Sequence, residues 1–468
     1  MNKRILLYLA ALMVGFSALT SSCIEDGFTT SPSSQPEFST DTLDLGTVFT
    51  AENTTTSRFV VHNRHSKGLS ISSISLSGDA AEYFRLNVDG MSGRSFSDVE
   101  IRAKDSIYIF VEATLPLTGL TEEKEFEASL DFLTNGVNSS VILTASGLDV
   151  DNIGSIVIDN DTRWDSATPY RILDSIVVGE NATLTLAPGV RIMMHDGASI
   201  RVHGTLVSEG TVESPVTISG DRTGNVVGQI SFDLMSKQWD GIYFFPESSG
   251  NRLEYTTVKN SSNGVSLDGS DLFILNSVLR NSGTDNLRAV SSEITAVGCE
   301  IAEAGEHLVS LTSGKAVFNH CTLANNYLFA SLRGAAINLM HLPGKEDPDM
   351  SGSPYTIADF SNCIIYGIGA EVSQGDLSGT DIYFRRCLMR SNGSDDSNFI
   401  GCLWDTDPMY RTVREDYYFD YRLMPESPAI EAADTELILR QAATDRYGLT
   451  RKLELGAYCF DPADVPVE

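Results

Sequence analysis

The sequence predicts an all-β protein in which a β-sandwich is followed by a solenoid of parallel β-strands. The later part of the chain carries a repeat of about 22 residues, and such a period is the signature of a solenoid. The earlier part consists of short runs that alternate apolar and polar residues between Gly, Asn and Asp turns, as expected for half-buried strands. The repeats show no sustained helical periodicity of about 3.6 residues.

Residues 1–22 are predicted to be a signal peptide. They begin with the basic stretch Met1–Arg4 and continue with an apolar run over residues 5–19. Small residues then precede Cys23. The apolar run is short for a membrane span, which needs about 20 residues. This arrangement resembles a bacterial lipoprotein signal, which implies lipid attachment at Cys23; the alternative is a buried first helix.

Residues 23–35 are predicted to be a flexible tether. Ser, Thr and Pro dominate from Thr29 to Gln35, and the acidic pair Glu25 and Asp26 follows Cys23. Acidic residues at this place resemble the surface-export signal of Bacteroidota lipoproteins. The resemblance implies an outer-membrane lipoprotein of the cell envelope that is exposed at the cell surface, although an acidic linker would have the same sequence.

The composition excludes some partners. The formal net charge is −30, which argues against nucleic acid, because phosphate binding requires clustered Lys and Arg. The same charge disfavours binding to anionic lipid, so attachment to a membrane would depend on acyl chains. The sequence has no Cys-x-x-Cys pair and no glycine-rich phosphate loop, so neither a metal nor a cofactor is predicted.

Residues 36–150 are predicted to form an immunoglobulin-like β-sandwich, because the number and spacing of the short alternating runs fit that architecture. The segment also resembles Hydin-type immunoglobulin-like modules, which implies a spacer or an interaction platform. The residues that carry this resemblance are Leu43-Asp-Leu-Gly-Thr-Val, Asn63, Leu69-Ser-Ile, Asp105-Ser-Ile-Tyr-Ile, Thr134-Asn-Gly and Ala145-Ser-Gly.

Residues 151–403 are predicted to form a right-handed parallel β-helix. Close-spaced strands with Gly or Pro-Gly corners begin it, and Trp239-Asp-Gly-Ile-Tyr-Phe leads into the regular repeats. The segment resembles the β-helix lipoproteins of gut-type Bacteroidota. This resemblance implies the architecture alone, because that family has no agreed activity. Residues 404–468 resemble the C-terminal cap of secreted β-helix proteins, which would shield the apolar core and strand edges of a terminal coil.

Superposition of the repeats predicts a ladder of small residues in the solenoid core. Positions two apart on a strand share one face, and stacked coils place like side chains above one another. The predicted ladder is Thr257, Ser277, Cys299, Cys321, Cys363 and Cys387. The double step between Cys321 and Cys363 predicts one coil with a long insertion near residues 343–355, where Gly and Pro disfavour a strand.

No catalytic residues are predicted. A glycoside hydrolase needs two carboxyl groups about 5 to 10 Å apart, and the predicted outward row holds one carboxylate, Glu300. That row reads Val258, Val278, Glu300, Thr322, Ile364 and Leu388. The acidic pairs Asp395-Asp396 and Asp347/Asp349 lie in predicted loops, where solvated acids are expected rather than a calcium site.

The remaining candidates are aromatic residues that could stack on sugar rings. Trp239, Trp404 and Tyr410 are the predicted ligand-binding residues, and Tyr417 and Tyr418 are further candidates; the alternative is that these rings pack the coils and the cap. The sequence therefore favours a lipid-anchored recognition or structural protein with a polysaccharide or a surface protein as partner. The alternative is a polysaccharide lyase or glycoside hydrolase with its site on the outer face of the β-helix.

Overall fold

The computed structural model describes residues 27–227, 230–345 and 348–464, so the predicted signal peptide and Cys23 lie outside the described residues. Within these ranges the regular structure is β-strands and short 3-10 helices. None of the described helices has the length and hydropathy of a membrane span. The chain divides into two compact units, one ending at Leu148 and one beginning at Asp149, except that residues 119–122 belong with the second.

The first unit is a β-sandwich of two five-stranded sheets, with strand orders β1-β3-β8-β5-β6 and β2-β10-β9-β4-β7. Its strands are β1 (Glu37–Phe38), β2 (Thr42–Phe49), β3 (Ser57–His62), β4 (Leu69–Ser77), β5 (Phe84–Val88), β6 (Met91–Gly93), β7 (Ser95–Ile101), β8 (Ser106–Ala113), β9 (Lys124–Thr134) and β10 (Val137–Leu148). Alternate residues such as Ile107, Ile109 and Val111 of β8 are buried and meet Leu130 and Phe132 of β9 in one core. This period of two is what packs one face of each sheet against the other.

The second unit is a parallel β-helix, as the repeat predicts. Its first five coils contain β11 (Asp151–Ile153), β12 (Ile156–Ile158), β13 (Thr162–Trp164), β14 (Tyr170–Ile172), β15 (Ser175–Val178), β16 (Thr183–Leu186), β17 (Arg191–Met194), β18 (Ser199–Val202), β19 (Thr205–Glu209), β20 (Val216–Gly220), β21 (Asn225–Val227), β22 (Ile230–Ser231), β23 (Gly241–Phe244), β24 (Asn251–Glu254), β25 (Thr256–Lys259), β26 (Val265–Asp268) and β27 (Asp271–Leu275).

The later coils contain longer strands and end in a tail. The strands are β28 (Val278–Ser282), β29 (Leu287–Val297), β30 (Glu300–Ala304), β31 (Val309–Asn319), β32 (Thr322–Asn325), β33 (Ile337–Met340), β34 (Ile357–Ser361), β35 (Ile364–Gly367), β36 (Ile382–Arg385), β37 (Leu388–Met389), β38 (Phe399–Ile400), β39 (Tyr410–Val413) and β40 (Phe419–Leu423). The 3-10 helices of the chain are Ala81–Tyr83, Phe232–Leu234, Pro348–Met350, Glu415–Tyr417, Thr435–Leu437, Arg440–Ala443 and Pro462–Asp464.

Each coil contributes one strand to a ten-stranded parallel sheet, called here the first sheet, with the order β11-β14-β17-β20-β25-β28-β30-β32-β35-β37. The other strands of the coils form a sixteen-stranded sheet. In the sixth and seventh coils, β29 and β31 each run through two faces as one 11-residue strand. Because every coil repeats the same inward positions, one continuous apolar core extends from Ile158 to Met389.

Stacked side chains fill this core. The rings of Phe318, Phe360, Phe384 and Phe399 lie parallel in successive coils, with centroids 4.7 to 4.8 Å apart. This distance equals the spacing of neighbouring strands, about 4.8 Å, so parallel register alone brings like side chains into contact. The cysteines at 299, 321, 363 and 387 are also buried in the core, as free thiols. Burial raises the pKa of the Cys299, Cys321 and Cys363 thiols.

The predicted ladder is wrong at its first member. Thr257 pairs with Val278, and Val258 pairs with Leu279, so the residue in line with Ser277 is Thr256. Thr256 is fully buried, and its backbone N–H donates to Ser277 Oγ at 2.9 Å. The repeat step here is one residue longer than the superposition assumes, and a slip of one residue moves a side chain to the opposite face of a strand. Thr257 therefore lies on the outer face, and Val258 lies in the core.

The coils carry two main departures from a regular solenoid. The segment between β33 and β34 contains residues 343–355 and the 3-10 helix Pro348–Met350, where the sequence predicts an insertion. A second excursion, between β20 and β23, contains the β21–β22 hairpin and the 3-10 helix Phe232–Leu234. The sequence pattern did not indicate this second excursion.

The C-terminal tail, residues 404–464, packs along the outer face of the first sheet. Leu423, Ala429 and Leu455 contact Ile364 and Leu388 of the late coils. Tail groups also reach earlier coils, since Arg446 Nη2 donates to Thr257 Oγ1 at 2.7 Å. The sequence predicts a segment that shields the terminal coil, whereas these contacts spread over the side of the solenoid from the tenth coil to the fifth.

Candidate ligand cleft

A cleft of about 320 Å³ lies where the tail crosses the first sheet. We call it the tail cleft. The first sheet contributes Thr257, Lys259, Val278, Arg280, Asn281, Glu300 and Glu303; the tail contributes Tyr417, Tyr418, Phe419, Asp420, Tyr421, Arg422, Arg446, Tyr447 and Tyr458; two loops contribute Asp233, Leu234, Leu328 and Phe329. Small-molecule sites range from roughly 300 to 1,000 Å³, so this volume lies at the lower end of that range.

Two glutamates and one arginine form the floor of the cleft. Arg280 Nη1 lies 3.6 Å from Glu300 Oε1, and Arg280 Nη2 lies 3.0 Å from Glu303 Oε2. Glu300 is 5% exposed and Glu303 is 3% exposed. A single cation therefore serves two buried carboxylates, although buried charges normally require full compensation.

Tyrosines of the tail each donate a hydrogen bond to one of these carboxylates. Tyr458 Oη donates to Glu300 Oε2 at 2.6 Å, and Tyr421 Oη donates to Glu303 Oε1. Burial, and then the neighbouring carboxylate, raises the pKa of both phenols, so both remain donors at neutral pH. Glu300 Oε1 is buried and accepts no hydrogen bond within the described part of the chain.

The protonation of the floor is unusual. Burial raises the pKa of Glu303 to about 7; the positive charge of Arg280 acts against this rise, and the negative charge of Glu300 adds to it. Burial by itself would lower the pKa of Arg280, but Glu303 and Glu300 raise it above its ordinary value. The floor therefore holds a permanent cation beside a carboxyl group that titrates near neutrality.

The row that faces the tail brings Glu300 to this place. Thr257, Val278, Glu300 and Thr322 are in register on adjacent strands. Their side chains point away from the core, so Glu300 faces outward as predicted by the alternation, but the tail covers it. The outward row of the sequence predicts a single carboxylate, Glu300, on this face. The structure corrects this prediction, because Glu303 near the end of β30 lies beside it.

Glu303 reaches the cleft because the backbone turns there. It is in the left-handed conformation with φ of 50°. Ala302 before it contacts the tail, and Ala304 after it packs in the core. A strand read as continuously alternating would place Glu303 with Ile301 on the inward face, and this is why the pattern missed the pair. The sequence feature that could have predicted the pair is the presence of two glutamates three residues apart at a corner of a coil.

Exposed tyrosines border the cleft. Tyr417, Tyr418 and Tyr447 are 41%, 58% and 52% exposed. The Arg422 guanidinium lies 5.4 Å from the centre of the Tyr447 ring. Arg422 is also paired with Asp420 at 2.7 Å. The rim therefore offers flat apolar faces next to fixed charged groups.

The three residues predicted to bind ligand lie elsewhere. Trp239 is 1% exposed, belongs to the core, and donates from Nε1 to the Lys259 carbonyl at 2.8 Å, so this prediction is wrong. Trp404 packs on Phe399 of the last coil, with ring centres 5.1 Å apart. Tyr410 lies behind the cleft, where its ring contacts Tyr421 at 4.8 Å. Both fit the alternative that large rings serve packing first.

One group outside the cleft has the geometry for a metal ion. Ligand atoms of Asp285, Glu306 and His307 all lie within 4.8 Å of one another. Asp285 Oδ1 is 2.8 Å from His307 Nδ1, and Glu306 is 3.5 Å from Arg333. Each of these groups thus has a partner of its own in the structure. The loop acid Asp395 is likewise engaged, by the backbone N–H groups of residues 401 and 402 and by Trp404 Nε1.

Three solved structures show distant similarity to parts of this chain. The catalytic unit of a GH87 alpha-1,3-glucanase from Streptomyces thermodiastaticus aligns with 10% identity over 74% of each chain, with a TM-score of 0.27. A family 123 glycoside hydrolase from Clostridium perfringens aligns with 9% identity over 25% of this chain, with a TM-score of 0.18. The PapD-like domain 7 of human CEP192 aligns with 12% identity over 28% of this chain and 95% of that domain, with a TM-score of 0.18.

The alignment spans 26% of the Clostridium enzyme. No family model and no curated protein matches the sequence. Similarities this low carry no argument about activity, so the function has to be inferred from the cleft itself.

Proposed function

We propose that this chain is a lipid-anchored cell-surface protein that recognises a glycan in the tail cleft. The observation that carries the proposal is the juxtaposition of three exposed tyrosine rings with a polar, charged floor. A sugar ring has apolar C–H faces and a rim of hydroxyl groups. Aromatic rings can cover such faces, while a few placed donors and acceptors bind the hydroxyls.

The charges of the cleft favour an uncharged saccharide. Its lining contains four acidic residues, Asp233, Glu300, Glu303 and Asp420, and four basic residues, Lys259, Arg280, Arg422 and Arg446. Most of these face each other as ion pairs. A strongly charged ligand would have to displace one partner of such a pair, whereas hydroxyl groups can share donors and acceptors without that cost.

The anchoring part of the proposal rests on the sequence around Cys23, which lies outside the described residues. A lipid at Cys23 would hold the protein at a membrane, and the Ser-, Thr- and Pro-rich residues up to Gln35 would let it reach outward. Substitution Cys23→Ala is expected to move the protein from the membrane fraction to the soluble fraction. Retention of the variant in the membrane fraction would contradict the anchor.

Binding of the purified full chain to an array of neutral oligosaccharides tests the recognition. Tyr418→Ala and Tyr447→Ala are each expected to weaken the binding about tenfold, because a stacked aromatic contact contributes roughly 1 to 1.5 kcal/mol. Tyr355→Ala is the matched control, since Tyr355 is an equally exposed tyrosine of the same unit outside the cleft. Absence of binding to every glycan, or equal loss in the control, would contradict the proposal.

A further inference from the structure

We propose that protonation of Glu303 fastens the tail to the first sheet, so that the tail loosens from the sheet as the pH rises through neutrality. The basis is the meeting of two buried carboxyl groups, one guanidinium and two tail phenols on the floor of the cleft. The device belongs to the chain itself and requires no ligand. Its effect on glycan binding rests on the proposed function, because the exposed tyrosines of the rim are part of the tail.

The tail is docked on the floor at two points that lie far apart in its sequence. Tyr421 donates a hydrogen bond to Glu303, and Tyr458 donates one to Glu300. Both rings are buried, and they pack with Ala302 of the first sheet in one apolar cluster. The two glutamates therefore lie in the contact that joins the tail to the sheet, and a change of charge on them acts on that contact.

The charges on this floor balance only when the two carboxyl groups hold a proton between them. The Arg280 guanidinium lies 3.6 Å from Glu300 and 3.0 Å from Glu303. Glu300 Oε1 is buried and accepts no hydrogen bond within the described part of the chain. Two carboxylates at one cation leave one buried negative charge uncompensated, which is strongly unfavourable. Lifting the tail returns these groups to water and removes that cost.

The proton is bound more tightly when the tail is closed. Burial raises the pKa of Glu303 to about 7; Arg280 acts against this rise, and the charge of Glu300 adds to it. When the tail lifts, the Glu303 carboxyl group meets water and its pKa returns toward 4.5. The proton therefore favours closure fully below about pH 4.5, and this advantage is lost as the pH rises through about 7.

Other charged and titratable groups face this floor from the sheet, a loop and the tail. They are Asp233, Lys259, Arg280, Glu300, Tyr410, Tyr417, Tyr418, Asp420, Tyr421, Arg422, Arg446, Tyr447 and Tyr458. Burial and then the nearby carboxylates raise the pKa of Tyr410, Tyr421 and Tyr458, so these phenols stay neutral. Although burial acts to raise the pKa of Asp420, hydrogen bonds from Arg422 hold it below its ordinary value. No histidine is among the described residues of the lining, so we assign a change near neutral pH to the glutamate pair.

The corner that Glu303 occupies holds asparagine in neighbouring coils. The register of the first sheet places Asn260, Asn281, Glu303 and Asn325 in one column. Asn260, Asn281 and Glu303 have positive φ of 68°, 62° and 50°, and asparagine tolerates this conformation better than glutamate does. A neutral amide would fit the corner at lower cost and would not titrate. A residue that breaks the local rule in this way indicates a role for its charge.

Hydrogen–deuterium exchange of the purified full chain measures the release of the tail. The readout is the exchange of segments 417–423 and 455–460 between pH 6 and pH 8. Each pH is compared with the same segments of Glu303→Gln, so that the intrinsic pH dependence of exchange cancels. The wild-type opening equilibrium should rise about 10-fold over this range, as a pKa of 4.5 in the open state and about 7 in the closed state requires. Glu303→Gln should show no such rise, because its amide does not ionise.

Two further variants complete the experiment. Glu293→Gln is the control and should keep the wild-type profile, since Glu293 is an exposed carboxylate of β29 outside the cleft. Glu300→Gln leaves Arg280 to serve Glu303 alone, so it should also reduce the rise. It replaces Glu303→Gln if that variant does not fold.

Three results would overturn the proposal. The first is a wild-type profile without a rise. The second is a rise of the wild-type size in Glu303→Gln, or in Glu300→Gln where that variant takes its place. The third is equal protection of the tail and of the early coils, residues 175–202, at every pH, because the whole molecule rather than the tail would then open.

Glycan binding at pH 6 and pH 8 separates this inference from the proposed function. Tail release without binding to any glycan would overturn the recognition and support the device in the tail. Glycan binding with exchange that does not depend on pH would support the recognition and overturn the device. Weaker binding at pH 8 in the wild type, but not in Glu303→Gln, is the expected result.

Discussion

The first sheet has an early half, strands β11 to β20, and a late half, strands β25 to β37. The inner face is apolar in both halves, but the outer faces differ. In the early coils the outward residues Met193, Thr217 and Ser219 are half-buried. In the late coils the outward residues Ile364 and Leu388 are at most 1% exposed, because the tail covers them. The strands that carry these two residues correspondingly begin with consecutive apolar side chains, Ile364-Ile365 and Leu388-Met389, which is typical of strands buried on both faces.

This difference shows what the tail does. The outer face of the early half is partly exposed, whereas the late half is an interior in which each buried aliphatic side chain contributes about 1.5 to 3 kcal/mol. Glu300 and Glu303 lie in the covered half, where a charge is most expensive. The early half holds a buried ion pair of its own, between Arg171 and Asp221 at 2.8 Å, so the contribution of the tail is to bury Glu300 and Glu303 under its tyrosines.

The largest expected effect is a charge placed in the covered half. Leu388→Asp should lower the free energy of unfolding by about 3 to 5 kcal/mol, because the new carboxylate is buried without a partner. Ser219→Asp in the early half should change it by less than about 0.5 kcal/mol. Chemical denaturation of both variants measures the difference. Similar losses in the two variants would break the comparison, since they would mean that the tail does not bury the late half.

Truncation of the inner face should affect both halves alike. Ile192→Ala and Ile365→Ala remove fully buried core side chains of the first sheet, and each should cost about 2 to 5 kcal/mol. The result sharpens the comparison, because the halves are expected to differ on the outer face alone. A much smaller cost at Ile192 would indicate that the early coils are loosely packed.

The third prediction concerns pH. The pKa of Glu303 is raised in the folded state from 4.5 to about 7, so the folded state binds this proton more tightly than the unfolded chain does. Its contribution to stability is therefore present below about pH 4.5 and is lost as the pH rises through about 7. The loss amounts to about 3 kcal/mol at about 1.4 kcal/mol per pKa unit. Melting temperatures between pH 5 and 8 should show this fall in the wild type, and a weaker one in Glu303→Gln.

The smallest effect is expected at an exposed ion pair away from the covered face. Arg163 lies 2.7 Å from Glu209, and both side chains are nearly half exposed. Water and salt screen such a pair, so Arg163→Ala should cost less than about 1 kcal/mol. Added salt should leave this small difference unchanged or reduce it further. A loss as large as that expected at Leu388 would contradict the contrast between covered and open surfaces.

The sequence predicted much of the β-helix core correctly, because the residues that face the core are the ones that repeat along the sequence. Cys299, Cys321 and Cys363 recur with an aliphatic residue two places later, and the structure stacks these residues in one core. The error at Thr257 arose because this coil is one residue longer than the superposition assumed, which similarity of the segments did not reveal. The excursion between β20 and β23 was missed for another reason, since its hairpin carries no repeat.

The candidate site was predicted less completely. Glu300 was recognised as an outward carboxylate, but Glu303 turns toward it only because the backbone adopts a positive φ at the coil corner. Trp239 was selected for its size and proved to be a core residue. Tyr417 and Tyr418 were identified by residue type, and their place beside the glutamates depends on the fold of the tail.

The sequence by itself determined the all-β class, the coil period and most of the residues that face the solenoid core, because strand alternation and parallel stacking are local rules that repeat along the chain. Only the tertiary structure decided that residues more than 100 positions apart, such as Glu300 and Tyr458, meet in one cleft. The physical reason is that the path of the tail depends on how its side chains pack on the outer face of the first sheet. The tail has no repeat, so the sequence pattern does not predict these contacts.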